Sequence, residues 1–319
     1  PTRRSSDLFG VIACASIVCG QAWPIIVVTL FGLSSIVLGR CMLAHRVSTS
    51  WPTHLLIGAG TFGTFTGLAA HYPINYPGLY LALLLLPLLL GHKHTVLIGH
   101  ELLIRIRASR YSGTVACTTL DILISCFACM YVLIAFMPEL GHDALAMHLF
   151  VPSHMAQQHR WGFDAETYVW AVMPMLGDWI YSIVYMLAGE TASRLTNSAF
   201  ILVVAWQVRE MVIWAGGSAT SSRWAALLLL STPLTFAENS SLFIEGVWTA
   251  FIMAGALAIL NVSNATPDVR ERMSQLLLAG ALLGFALAAK AVTLSILPVL
   301  LVVLFSQYKA WAKIGRAHV

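Results

Sequence analysis

A polar stretch at residues 138–167 carries most of the side chains that could do chemistry: Glu139, His142, Asp143, His148, His154, His159, Arg160, Asp164 and Glu166. Four of the eleven histidines fall here, spaced six, six and five residues apart. Two ligands on one helix face would sit three or four apart. A divalent metal site would therefore need the loop itself to fold these histidines together, and the spacing supports no cofactor. Asp143 opens an amphipathic run at 144–155. Aspartate fills the helix N-cap position well, and a capping carboxylate at a membrane surface is both fixed and ionised. A second candidate lies far along the chain, where Lys290 interrupts the thirty-residue apolar run 276–305. If that run crosses a membrane, such a lysine is expensive and marks a functional site by default. The bland alternative is a lysine snorkelling from a helix end.

The elements that must position these residues follow from composition. Hydrophobic residues make up 58% and charged residues 10%, with a mean hydropathy of +0.80. A soluble domain carries about 25% charged residues, and none could hide this much apolar surface from water. In a bilayer every backbone polar group must be satisfied within the protein, which leaves helices or a closed barrel. Barrel strands alternate apolar and polar residues; here the apolar runs are continuous, as at 81–90 and 276–289. The expected fold is an all-α polytopic transmembrane bundle. The net charge of +4 is scattered in short loops, so it reports orientation and implies no nucleic-acid partner. Cys126 and Cys129 form a CxxC inside an apolar run, where small packing residues are expected rather than redox or metal chemistry.

Expected helices cover 23–39, 54–70, 76–90, 114–137, 170–187, 192–208, 224–236 and 241–262, with the run 276–305 broken near Lys290 into two short passes. Residues 9–19 read as the stub of another. Lys93, Arg105, Arg107 and Arg110 place 92–110 on the cytoplasmic side, which puts 138–167 outside. The segment 170–187 is expected to lie in the outer interface, so that Arg209, Arg270 and Arg272 fall inside. Asp121 is expected to be a boundary residue, and Gly280 with Gly284 a close-packing GxxxG. The termini are unusual. Residues 1–8 (PTRRSSDL) and 314–319 (IGRAHV) read as translated sequencing adapters. The natural sequence is expected from about Phe9 to Lys313, divided into N-terminal helices (9–137) and a membrane core (138–313) that opens with the extracytoplasmic loop.

Asp143-Ala-Leu-Ala-Met-His148-Leu with Pro152 resembles the D-A-L-x-Y-H-L…P stretch of bacterial GT-C superfamily glycosyltransferases. These phospholipid-carrier-dependent enzymes are related to protein O-mannosyltransferases and lipid A aminoarabinose transferases. Pro174-Met-Leu-Gly-Asp178 followed by Leu187-Ala-Gly-Glu190, Ser231-Thr-Pro233 through Glu245, and Leu278 through Lys290 resemble the later blocks in order. The sequence departs from the pattern at Met147, where Tyr is usual, at Asp178, where Glu is commoner, and at Glu245, where Asp is commoner.

The resemblance implies a multi-pass protein of a bacterial inner membrane. It would transfer a sugar from a polyprenyl-phosphate donor to a lipid, glycan or protein acceptor at the extracytoplasmic face, among membrane lipids. Asp143 would be the general base in an inverting displacement. Lys290 would stabilise the leaving lipid phosphate, with Arg160 a second phosphate contact. His148, Asp178 and Glu245 would bind substrate or orient these groups, and Asp178 and Glu238 are each as readily a boundary carboxylate. Two other functions compete. A transporter or flippase would place ionisable groups near mid-bilayer on broken, repeated helices, whereas most carboxylates here gather at the outer surface. A non-catalytic component of envelope-polymer assembly would tolerate replacement of Asp143 and Lys290.

Overall fold

The computed structural model describes residues 20–43, 50–109, 115–163, 165–264 and 269–317. The adapter-like segment 1–8, the stub at 9–19 and Asp164 lie outside the described residues. The described chain is helical, without strands. In order, the helices are α1 (Ala22–Leu43), α2 (Trp51–Ala70), α3 (Pro77–Leu90), α4 (His92–Ser109), α5 (Val115–Ala135), α6 (Phe150–Gln158), α7 (Leu176–Trp214), α8 (Ala219–Ser231), α9 (Pro233–Ser240), α10 (Glu245–Asn264), α11 (Val269–Ala289) and α12 (Thr293–Ala317). Four are long and apolar enough to cross a membrane: α1, the stretch Thr118–Ala135 of α5, Glu245–Val262 of α10, and α11. The pair Pro77–Leu90 and His92–Glu101, bent by 81°, makes a fifth if it counts as one span.

Proline punctuates the helices, at Pro233 against the single pass expected there. Pro52 and Pro77 stand in the first turns of α2 and α3, where the missing N–H costs nothing. Pro233 splits the single pass expected at 224–236 into α8 and α9. The apolar run at 276–305 breaks at Lys290, between α11 and α12. Thr293 Oγ1 donates to Lys290 O at 2.7 Å and accepts from Trp248 Nε1 at 2.8 Å, which fixes the break against α10.

α1 and α2 meet backbone to backbone. A Cβ on Gly58 would fall 2.0 Å from Ser35 O, so glycine is required for this approach, the usual solution for helices in lipid. The expected GxxxG packing at Gly280 and Gly284 is not found. Both glycines are exposed, and a Cβ on either meets nothing within 4 Å, because α11 packs through Leu278, Ala279, Leu282 and Ala286 instead.

α7 is two arms. Gly189 has φ +71° and Ala188 is also non-helical. Ser193 Oγ nevertheless donates to Tyr181 O at 3.2 Å, although twelve residues of straight helix would separate them by about 18 Å. The chain therefore doubles back at 188–189. The first arm starts at Leu176 rather than Trp170, because Val169–Val172 is a separate 3-10 turn. This arm is buried from Leu176 to Val184. It both begins and ends at the end of the bundle that holds the loop 138–167, hereafter the site end. The second arm, residues 190–214, runs about 37 Å to the opposite, far end.

Candidate functional site

The site is assembled from the loop before α6, the start of α7, the loop into α10 and the α11–α12 break. Its centre is a buried pair. His148 Nδ1 lies 2.7 Å from Asp178 Oδ1, with both side chains only 7% exposed. Asp178 sits in the first turn of α7, where the helix dipole favours a negative charge. Burial works against protonation of His148. The charge and hydrogen bond of Asp178, helped by Glu245, outweigh burial and the opposing Lys290, so the imidazole is held above its ordinary pKa.

Lys290 Nζ donates to Glu245 Oε1 in a half-exposed ion pair. The ammonium also lies 5.9 Å from the centre of the Trp248 ring, within reach of a cation–π contact. Glu245 opens α10, and its second oxygen is buried without a partner among the described residues. Glu238 Oε2 is likewise buried and unpartnered among the described residues. Burial and the Glu245 charge push Glu238 above the usual carboxylate range, against the pull of Lys290 and His148. Three carboxylates, one imidazole and one ammonium thus meet at one end of the bundle. Two buried carboxylate oxygens there have no hydrogen-bond partner among the described residues.

A ring of contacts holds the loop that carries Glu238 and Glu245. Tyr181, fully buried, donates to Phe243 O at 2.5 Å. Asn197 Nδ2 donates to Glu238 O and Ser241 O, each at 3.0 Å. Arg194 donates to Ser240 O at 2.7 Å and to Met137 O. Glu139 accepts from Leu140 N at 2.9 Å, Gly141 N at 2.8 Å, Ser241 Oγ at 3.0 Å and Leu242 N at 2.6 Å, and faces Arg194 Nε at 3.8 Å. Its own N–H donates to Glu190 Oε1 at 2.5 Å. Glu139 therefore ties the strand of chain leading to Asp143 to the one leading to Glu245. Sequence reasoning missed Tyr181, Asn197, Arg194 and Glu139 as positioning residues. Arg194 gave one usable signal, since an arginine inside an apolar helix needs a reason.

Asp143 is less enclosed. Its side chain is 70% exposed, and its ion pair is with His142 at 3.5 Å. The expected N-cap is not formed: Asp143 has φ −65° and ψ −39° and makes no side-chain cap bond. The helix has already started at His142, and a capping residue needs non-helical dihedrals. Residues Ala144–His148 form a π turn, closed by Leu149 N donating to Ala144 O at 2.7 Å. In an α-helix, residues five apart diverge by about 140° around the axis. A π turn reduces that divergence, and such turns are frequent at functional sites. Even so, Asp143 stays 70% exposed while His148 is 7% exposed.

The loop histidines are dispersed. His142 is solvent-exposed and His148 bonds Asp178. His154 packs 4.3 Å from Phe163 in a cluster with Phe150, Trp161 and Tyr168. His159 stacks on Tyr76 at 4.0 Å and bonds Asn75 O at 3.1 Å. Among the described residues no group of three or more His, Cys, Asp or Glu side chains is placed to hold a metal ion. Arg160 is exposed, and no ion pair joins it to the cluster among the described residues. Cys126 and Cys129 are free thiols.

Comparison with known proteins finds one similarity, over the second half of the chain. Residues 165–318 match the family model of dolichyl-phosphate-mannose-protein mannosyltransferase. Over that stretch the chain is similar to a family of membrane glycosyltransferases that draw on a sugar linked to polyprenyl phosphate. The stretch contains Asp178, Glu238, Glu245 and Lys290. Asp143, His148 and Arg160 precede it. No curated protein and no solved structure matches the chain.

Proposed function

We propose that the protein is a multi-pass membrane glycosyltransferase that moves a sugar from a polyprenyl-phosphate donor to an acceptor hydroxyl at the site end of the bundle. The observation that carries this reading is the meeting of Lys290–Glu245, His148–Asp178 and Glu238 at one bundle end, mostly within the stretch that matches the mannosyltransferase family. The site end faces the outside of a bacterial cytoplasmic membrane, and the acceptor is a lipid, a glycan or a protein.

Asp143 is the general base. It takes the acceptor proton while the acceptor oxygen bonds to the anomeric carbon and the glycosyl–phosphate bond breaks with inversion. A base must be ionised and within hydrogen-bond reach of that hydroxyl, though such contacts often tighten only when substrate binds. The exposed Asp143 is free to meet a bulky acceptor from outside. The leaving lipid phosphate keeps the bonding electrons, and a preorganised cation stabilises that charge in a water-poor site. Lys290 is this cation, aimed by Glu245 and the Trp248 ring. Arg160 is a second phosphate contact when the donor bridges the loop. His148, held by Asp178, and the unpartnered carboxylate oxygens of Glu238 and Glu245 hold sugar hydroxyls. A transporter would carry its ionisable groups between the bundle ends, and this cluster does not fit that pattern.

The test is donor consumption in membranes carrying wild type, Asp143→Asn or Lys290→Ala, using a panel of polyprenyl-phosphate sugars. Turnover lost in Asp143→Asn at unchanged protein level supports the reading. Turnover indifferent to Asp143→Asn removes the assigned base.

A further inference from the structure

The far end of the bundle holds a cavity of about 450 Å³ between the end of α7, the start of α8 and the end of α10. Trp206, Arg209, Glu210, Trp214, Arg223 and Asn261 line it. Its charges are unequally committed. Arg223 Nε donates to Asp121 at 2.7 Å, and its Nη1 to Ala219 O at 3.0 Å. Glu210 accepts from Trp206 Nε1 at 2.9 Å and from Ser50 Oγ at 3.1 Å. Arg209 lies over the Trp206 ring at 5.2 Å, and no carboxylate among the described residues is in ion-pair contact with it. The cavity therefore offers one guanidinium for an anion and, beside it, a carboxylate with spare acceptor capacity. A second cavity of about 160 Å³ adjoins it, sharing Glu210, Trp214 and Asn261.

A bare polyanion would suit Arg209 but would face Glu210 across the same space. A group carrying both signs satisfies both walls. The surroundings indicate where such a group comes from. Ile213 and Trp214, 50% and 38% exposed, line the cavity and give its mouth an apolar rim. Tryptophans mark the level where a bundle meets lipid headgroups, and guanidinium is the side chain best shaped for phosphate.

We propose that this cavity binds the headgroup of a zwitterionic phospholipid bearing a primary ammonium. The phosphodiester rests on Arg209 with support from Arg223. The ammonium points to Glu210 and Asn261, and an acyl chain follows Ile213 and Trp214. The site is separate from the transferase site and does not depend on that assignment.

The test uses the purified full chain in detergent, with bound lipid counted by native mass spectrometry after addition of phosphatidylethanolamine, phosphatidylcholine or phosphatidylglycerol. The wild type should retain phosphatidylethanolamine roughly tenfold better than phosphatidylcholine, which has the phosphate but no N–H donor. Arg209→Gln should bring retention down to the phosphatidylcholine level. Glu210→Gln should keep retention but lose preference for phosphatidylethanolamine over phosphatidylglycerol. Arg209→Lys retains the charge and should stand between wild type and Arg209→Gln, so a misfolded Arg209→Gln does not remove the test. Equal retention of phosphatidylethanolamine by wild type and both Arg209 variants would overturn the site. Equal retention of phosphatidylcholine would overturn the ammonium subsite. Displacement by inorganic phosphate at equal concentration would make this a free-anion site and overturn the lipid assignment.

Discussion

Replacing Glu139 with alanine should free the loop that carries Asp143. The carboxylate is 2% exposed and faces Arg194, itself 2% exposed. It also receives the N–H groups of Leu140, Gly141 and Leu242. Deleting it leaves a buried guanidinium without its counter-charge, which costs about 3–5 kcal/mol. Each backbone donor left dry would add about 1–3 kcal/mol, but the loops lie at a bundle end where water can reach them once they part. The lower figure, about 3 kcal/mol, is therefore the cost of local opening. At about 1.4 kcal/mol per tenfold, amide exchange at 139–142 and 240–243 should accelerate by roughly two orders of magnitude. Hydrogen exchange read by mass spectrometry in detergent measures this directly. Amides within α1 and α2, which do not touch Glu139, should keep their protection. Acceleration below about threefold in both loops would refute the assignment of Glu139 as their tie.

Three further outcomes follow from the same contacts. Tyr181→Phe removes the donor to Phe243 O, a part-buried bond, and should cost about 1 kcal/mol, seen as a lower melting midpoint in detergent. Gly58→Ala places a Cβ 2.0 Å from Ser35 O and should cost about 1–3 kcal/mol, whereas Gly284→Ala, with nothing within 4 Å, should leave the midpoint unchanged or slightly raised. His148 has its pKa raised by Asp178 against burial, so its stabilising contribution is complete below the unfolded value of 6.5 and fades as pH climbs through the folded value; the gap in melting midpoint between wild type and His148→Gln should therefore narrow from pH 5.5 to pH 8.5, about three units spanning that window.

The helical membrane class was legible because composition and continuous apolar runs are properties of the chain alone. The break at Lys290 was legible for the same reason: a charge within an apolar run has few ways to be tolerated, and Glu245 with Trp248 supplies one. What pattern could not show was pairing across distance. Glu139 and Leu242 are 103 residues apart, and Arg194 and Ser240 are 46 apart, so neither contact leaves a periodic trace. The histidines of 138–167 looked like one group because they are close in sequence, but the π turn, the Asn75 contact and the aromatic cluster send them to separate places. The reversal at Gly189 was marked only by an Ala-Gly pair, and it took a left-handed dihedral to turn a helix boundary into a hairpin. Asp143 was found as a residue type in a motif, but its expected capping geometry failed because the helix begins two residues earlier than the motif suggests.

The most direct measurement of the central claim is donor turnover. Membranes holding equal amounts of wild type, Asp143→Asn and Lys290→Ala would be given radiolabelled sugars on polyprenyl phosphate, and release of sugar to acceptor would be followed. The account predicts turnover in wild type, a loss of about a hundredfold or more in Asp143→Asn, from removal of a general base, and a comparable loss in Lys290→Ala, from removal of the cation that meets the leaving phosphate. Wild-type turnover that survives both substitutions, or its absence with every donor in the panel, would contradict it.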